Sequence, residues 1–434
     1  MQLSTSCGSA RCSPGATRPR PPSASTPAPT RARGTPDGCP TPGLPDAGPV
    51  DASDAGRPSG DAGAPTCVAD PERVYKLGSD ATGGDRIVGL AAGANAFGVV
   101  WTQLPTSGGL VEVHGERISS SGARGTTQRI TSRGQQDRSE HRRGGHLVGR
   151  GVGGQRERHL RAPHHRGGGD LAPGSATVHD LTATPTLRED GPVFLNSSAG
   201  LMLAWTEDDM SALTRVARAQ QVANDGTPTG SPGTASASGQ QPGQLATGEL
   251  DGGPVLVWSE GIGGSGTVYL QGITTAGAMR GTRTRVSTED NADGTVDAAL
   301  LPTTGGAVVF GVLVDGVRHE VRFREVPSDG AVTDAQPERV LANGTGASVA
   351  RFAGGYAISY RAPASGDTPS MIHLMLVQSN GDLVSDVPVI EAPSEGARTT
   401  VRVSGDGQIA ITWADTNPGA TDIRVAMIAC GAGS

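Results

Sequence analysis

Pro254-Val255-Leu256-Val257-Trp258-Ser259-Glu260 alternates apolar side chains up to a tryptophan and then turns acidic. Downstream, Val268-Tyr269-Leu270-Gln271-Gly272-Ile273 runs into the turn Thr274-Thr275-Ala276-Gly277. Alternating apolar runs bounded by glycine turns read as half-buried antiparallel strands. The tryptophan run recurs as Phe97-Gly98-Val99-Val100-Trp101, Leu201-Met202-Leu203-Ala204-Trp205 and Ile409-Ala410-Ile411-Thr412-Trp413, with degenerate copies at Ala307 to Gly311 and Tyr356 to Tyr360. Registered at 101, 205, 258, 311, 360 and 413, the copies step by 104, 53, 53, 49 and 53. The first step is two periods, so one copy is missing near position 152.

A second ruler agrees. The turn glycines Gly122, Gly226, Gly277, Gly330 and Gly381 are spaced 104, 51, 53 and 51. Each unit adds two further short runs, such as Arg283 to Ser287 and Ala298 to Leu301. Four short strands in a repeat of about 52 residues make a propeller blade. Six copies plus the missing one predict an all-β, seven-bladed β-propeller of four-stranded blades. With the tryptophan run as the first strand, the chain opens on third- and fourth-strand sequence (Arg73 to Leu77, Arg86 to Ala91) and stops after a second strand (Asp422 to Cys430). Both termini then complete the last blade, which leaves no open sheet edge. That closure brings Cys67 beside Cys430 and predicts a disulfide, hence an oxidising compartment.

Composition narrows the function classes. The 434 residues carry a net charge of −7, which gives no general attraction to nucleic acid. No run of about twenty apolar residues exists to span a bilayer as a helix. Residues 1–66 are Pro-rich and then Pro-Asp-Ala-Gly-like, as in Leu44-Pro45-Asp46-Ala47-Gly48, with almost nothing to bury, and read as a disordered tether ahead of a propeller over 67–434. Lys76 is the single lysine among 36 basic residues, the usage of a very GC-rich genome. The tether resembles the linker after the lipid-anchored cysteine of envelope lipoproteins from GC-rich Gram-negative bacteria, and the whole resembles their secreted propeller repeat proteins, although no lipobox precedes Cys7, Cys12 or Cys39. The resemblance implies an exported protein, periplasmic, tethered to the outer membrane or extracellular.

From Arg133 to about Pro173 the pattern dissolves into Arg, His and Gly, with five of the nine histidines. Face value suggests a metal- or phosphate-binding insertion. That reading removes the blade both rulers require. Reading Leu147 to Gly168 one base later, in GC-rich codons, yields WSVAAWVGSASVTYVRLTTAGG, which parallels Pro254 to Gly277. A pair of compensating frame errors over 133–176 is therefore expected, with a poorly ordered blade in the sequence as it stands.

Three constellations are candidates for chemistry. Glu289, Asn291, Asp293 and Asp297 space oxygens around Gly294 and resemble the calcium loop of integrin-type propeller repeats, which would make calcium a cofactor. Glu207, Glu260 and Asp415 each follow a tryptophan by two residues and form a candidate acidic rim, against the plain reading of solvated turns. His319 and His373 lie beside no nucleophile, and no Ser-x-Asp-x-Gly-x-x-Trp box of the sialidases occurs. The reading that results is a non-catalytic, monomeric scaffold for an unknown protein or glycan ligand. The alternatives are a propeller hydrolase or lyase acting on glycans or lactones, and a calcium-binding repeat protein.

Overall fold

The computed structural model describes residues 63–77, 86–103, 112–129, 161–162, 179–180, 187–198, 200–209, 212, 214–223, 227–261, 266–392, 398–417 and 420–433. Among them every helix or strand is a strand, and no helix is long and apolar enough to cross a membrane. After β1 (Gly63–Lys76), which is set apart, the strands form six four-stranded antiparallel sheets. One is β2 (Arg86–Ala92), β3 (Ala96–Gln103), β4 (Glu112–Ser119) and β5 (Gln128–Arg129). Past the pair β6 (Arg161–Ala162) and β7 (His179–Asp180) comes β8 (Leu187–Ser197), β9 (Gly200–Asp209), β10 (Thr214–Val222) and β11 (Pro228–Thr234). Then follow β12 (Pro242–Leu250), β13 (Gly253–Glu260), β14 (Thr267–Ile273) and β15 (Met279–Arg285). The next sheet is β16 (Ala292–Leu301), β17 (Gly305–Val314), β18 (Arg318–Val326) and β19 (Arg339–Asn343). After it come β20 (Thr345–Phe352), β21 (Gly355–Ala362), β22 (Met371–Val377) and β23 (Leu383–Glu391). The last sheet joins β24 (Thr399–Val403), β25 (Ile409–Asn417) and β26 (Ala420–Gly433) to β1.

The first strands of successive sheets pack side by side in the order β8, β12, β16, β20, β24, β2, and β2 in turn touches β8. This is a propeller arrangement, with six blades among the described residues. Most of the stretch 133–176, where the seventh is expected, lies outside them, as do the tether up to position 62 and the ruler glycine Gly226.

The tryptophan strand is the second of each blade, not the first. Leu250 pairs with Gly253, Leu301 with Gly305 and Phe352 with Gly355 across hairpins of two or three residues. The apolar run before each hairpin therefore belongs to the same sheet as the tryptophan. Read as a fourth strand of the preceding blade, that run shifts the whole assignment by one, because a tight hairpin and an inter-blade crossing look alike when both carry glycine. Accordingly Arg86 to Ala91 is an innermost strand, Arg73 to Leu77 falls on an outermost one, and Asp422 to Cys430 on a third one. The degenerate copy also moves by one residue: Phe310, five positions after Gly305, takes the place that Trp258 takes five after Gly253.

Burial explains the repeat. Trp101, Trp205, Trp258, Phe310 and Trp413 are fully buried and Tyr360 is 3% exposed; five of these rings pack in clusters shared with the neighbouring blade, while the cluster of Trp205 holds described residues of its own blade alone. Truncating one such ring to alanine costs about 3–5 kcal/mol. The turn glycines serve the same packing. Gly122, Gly277, Gly330 and Gly381 all have positive φ, and each N–H donates to the carbonyl three residues earlier at 2.8 or 2.9 Å. A Cβ on Gly277 would lie 1.9 Å from the Ala219 carbonyl oxygen of the neighbouring blade. The site needs both the left-handed backbone and the missing side chain.

Both termini complete the closing blade as expected. β1 runs antiparallel to β26 with Cys67 directly opposite Cys430, and the two are disulfide-bonded with Cα atoms 4.0 Å apart.

Candidate ligand site at the central channel

An innermost strand has a free edge, and its backbone groups need partners. Here side chains from neighbouring innermost strands supply several. Gln244 of β12 accepts from the Val296 amide of β16 at 3.3 Å. Asp297 of β16 accepts from the Val349 amide of β20 at 3.1 Å and from the Ser348 hydroxyl. Ser348 in turn accepts from the Val401 amide of β24 at 3.1 Å. Thr247 donates to the Phe194 carbonyl at 2.9 Å, and Glu249 accepts from the Ser198 amide at 3.1 Å and from the Ser198 hydroxyl. Polar residues on these strands thus tie each blade to the next around the channel.

At the end of the channel where the first hairpins turn, five innermost strands enclose a cavity of about 410 Å³. Phe194, Asn196, Glu249, Leu301, Arg351 and Arg402 contribute its larger side chains. Phe194 is 46% exposed and Leu301 44%; Phe194 pairs with Leu203 and so stands on the Trp205 face of its blade, which has no described neighbour. Arg351 is held by Thr304 Oγ1 at 2.9 Å and by the Gly305 carbonyl. Arg402 donates to the Val401 carbonyl at 2.7 Å and lies 3.4 Å from Asp297 Oδ2, with its side chain 35% exposed. A cavity of apolar wall and a few fixed polar groups is the usual form of a small-ligand site. No local motif marks it, since each strand gives only one or two residues.

Of the residues singled out as calcium ligands, Glu289 and Asn291 bond to each other, and Asp293 and Asp297 are engaged elsewhere. Glu289 accepts from Asn291 Nδ2 at 2.8 Å. Asp293 accepts from the Thr295 amide at 2.9 Å and hydroxyl at 2.7 Å, and its other oxygen is 2.8 Å from His319 Nδ1. Asp297 is the edge cap described above. Among the described residues no three His, Cys, Asp or Glu side chains gather as a metal site.

The rim acids are each paired with an arginine of their own blade. Glu207 accepts from Arg218 Nε at 2.8 Å and from the Trp205 indole at 3.3 Å, Glu260 pairs with Arg283, and Asp415 lies 2.9 Å from Arg424 Nε. Glu207 and Asp415 are buried rather than displayed on a rim. Burial pushes the Asp415 carboxyl up, against the pull of Arg424.

His373 joins a cluster that sequence alone does not show. Its Nδ1 lies 2.9 Å from Asp386 Oδ1, while Tyr360 donates to Asp386 Oδ2 at 2.7 Å. Burial raises the Asp386 carboxyl, but hydrogen bonds from His373 and Tyr360 outweigh it and hold the group below the ordinary range. Burial and the Asp386 carboxylate both push the Tyr360 phenol up.

No protein-family model and no curated protein matches the chain. Among solved structures, the Penicillium chrysogenum alpha-L-arabinanase complexed with arabinobiose is similar over 84% of this chain and 98% of that one, at 14% identity and a TM-score of 0.48. The polysaccharide lyase Uly1 is similar over 78% and 89%, at 11% identity and a TM-score of 0.43. The Aleuria aurantia lectin in complex with Fucalpha1-6GlcNAc is similar over 78% and 93%, at 9% identity and a TM-score of 0.37. At these values the likenesses carry no functional argument.

Proposed function

We propose that the protein is an exported β-propeller that binds a glycan in the channel cavity. The carrying observation is the cavity itself, lined by Asn196, Glu249, Arg351 and Arg402 among apolar strand residues. Sugars present apolar C–H faces ringed by hydroxyls, and an apolar recess with a few hydrogen-bonding side chains meets both. Affinity electrophoresis through gels containing different polysaccharides tests it. The protein is slowed by at least one of them, and Asn196→Ala restores faster migration; migration unaffected by every polysaccharide refutes the reading.

A second reading, a hydrolase or lyase, gains from the same cavity. A catalytic propeller needs acids or bases converging on the channel, and Glu249 lines the same cavity as Arg351 and Arg402. One carboxylate there falls short of the pair that glycoside hydrolysis commonly uses, so elimination fits the residue set better than hydrolysis. Release of unsaturated or reducing ends from the retained polysaccharide, abolished in Glu249→Gln, separates catalysis from binding.

We further propose that the intact protein has seven blades, the seventh encoded over 133–176 and seated between β2 and β8. The shared double step of 104 residues in both rulers supports this. Export is supported by the disulfide, which persists in an oxidising compartment. The residues ahead of β1 would then tether the propeller to the envelope.

A further inference from the structure

Strand register puts Arg402 in a layer otherwise made of alanine, glycine and one leucine. Arg402 pairs with Ala410, three positions before Trp413. The innermost residues paired three positions before the other rings are Ala91, Leu195, Gly248, Ala299 and Ala350. Arg402 is thus the one charged side chain in that layer of the described blades, and the small residues opposite leave it room. In the next layer, four positions before each ring, Arg351 stands with Ala92, Asn196, Glu249, Leu300 and Val403. Both arginines face the cavity, against a single lining carboxylate, Glu249. Glu249 is itself engaged by Ser198. The bond from Arg402 to Asp297 is long at 3.4 Å and uses Nη1 only. Asp297 already accepts from Ser348 and Val349, so it does not depend on Arg402.

From this we infer that the channel cavity selects a carboxylate-bearing sugar, a uronate or another acidic residue of a glycan, with Arg351 and Arg402 receiving the carboxylate. Planar guanidinium groups match carboxylates in shape and charge. The chain as a whole carries a charge of −7, so an anion gains nothing from the overall field and must be held by these two groups. This inference rests on the glycan reading above.

The test needs no variant at first. Binding of polygalacturonate, its fully methyl-esterified form, a neutral arabinan and poly-glutamate is compared by titration calorimetry at 0.15 M salt. The inference expects polygalacturonate to bind at least tenfold more tightly than its methyl ester, and poly-glutamate to bind at least tenfold more weakly than polygalacturonate. Arg402→Gln and Arg351→Gln should each weaken polygalacturonate at least tenfold without changing the thermal midpoint by more than a few degrees. Equal binding of acid and ester, or of arabinan, overturns the carboxylate inference and leaves the glycan reading standing. Equal binding of polygalacturonate and poly-glutamate identifies a general anion site and overturns it as well. Binding of none of the four overturns it; the wider polysaccharide screen then decides the glycan reading separately.

Discussion

Replacing both Cys67 and Cys430 with serine opens the covalent closure while leaving β1 in register with β26. The bond spans a sequence separation of 363 residues. In the chain-entropy treatment a cross-link over that span removes denatured-state freedom worth about 6 kcal/mol at 25 °C, an upper bound. With a urea slope of roughly 3 kcal/mol/M, the full effect lowers the midpoint by about 2 M. The assay is equilibrium urea unfolding followed by tryptophan fluorescence, since Trp413 lies in the cluster that includes Cys67. Thiol titration of the denatured native chain should show two fewer thiols without reductant than with it. A midpoint shift below about 0.3 M would refute the claim that the bond holds the ring closed, and the same thiol count under both conditions would refute the bond itself.

Other outcomes follow from the same geometry. Gly277→Ala places a Cβ against the Ala219 carbonyl at positive φ, whereas Gly316→Ala meets nothing within 4 Å; the second change costs about 1–2 kcal/mol for backbone strain alone, and the first costs measurably more in the thermal midpoint. Asp386, held below the ordinary carboxylate range, contributes stability that is present above that range and is lost as pH falls through its lowered value. The stability gap between the native chain and Asp386→Asn should therefore shrink in acid, and a gap constant from pH 6 to pH 2.5 contradicts the assignment. Because Glu289 and Asn291 bond to each other while Asp293 and Asp297 are engaged elsewhere, millimolar calcium should leave the melting temperature unchanged; a rise reversed by EGTA restores the calcium loop. Sequencing the gene through codon 180 should reveal paired frame errors and a tryptophan-bearing blade, and confirmation of the present frame removes the seventh blade.

The features legible in the sequence are those the fold repeats. Rings between blades and glycines under the neighbouring blade recur at every turn of the ring, so their spacing exposes the period. The cysteine pairing followed from closure, a topological demand. Strand order within the blade was misread because the decisive contact, Leu250 against Gly253, is a local hairpin whose glycine resembles an inter-blade one. The acids after the tryptophans looked like a displayed rim because their partners, Arg218, Arg283 and Arg424, sit on other strands at no fixed spacing. The cavity was least legible of all. Asn196, Glu249, Arg351 and Arg402 come from four blades, and only after registering each innermost strand on its ring does Arg402 stand out among glycine, alanine and one leucine.

Hydrogen–deuterium exchange with and without a retained polysaccharide tests the central claim, a glycan site at the channel mouth, most directly. The account predicts slowed exchange over 193–198, 247–252, 348–353 and 401–404, with the outermost strands β15, β19 and β23 unchanged. Protection confined to those outermost strands, with the channel segments exchanging as before, would contradict it.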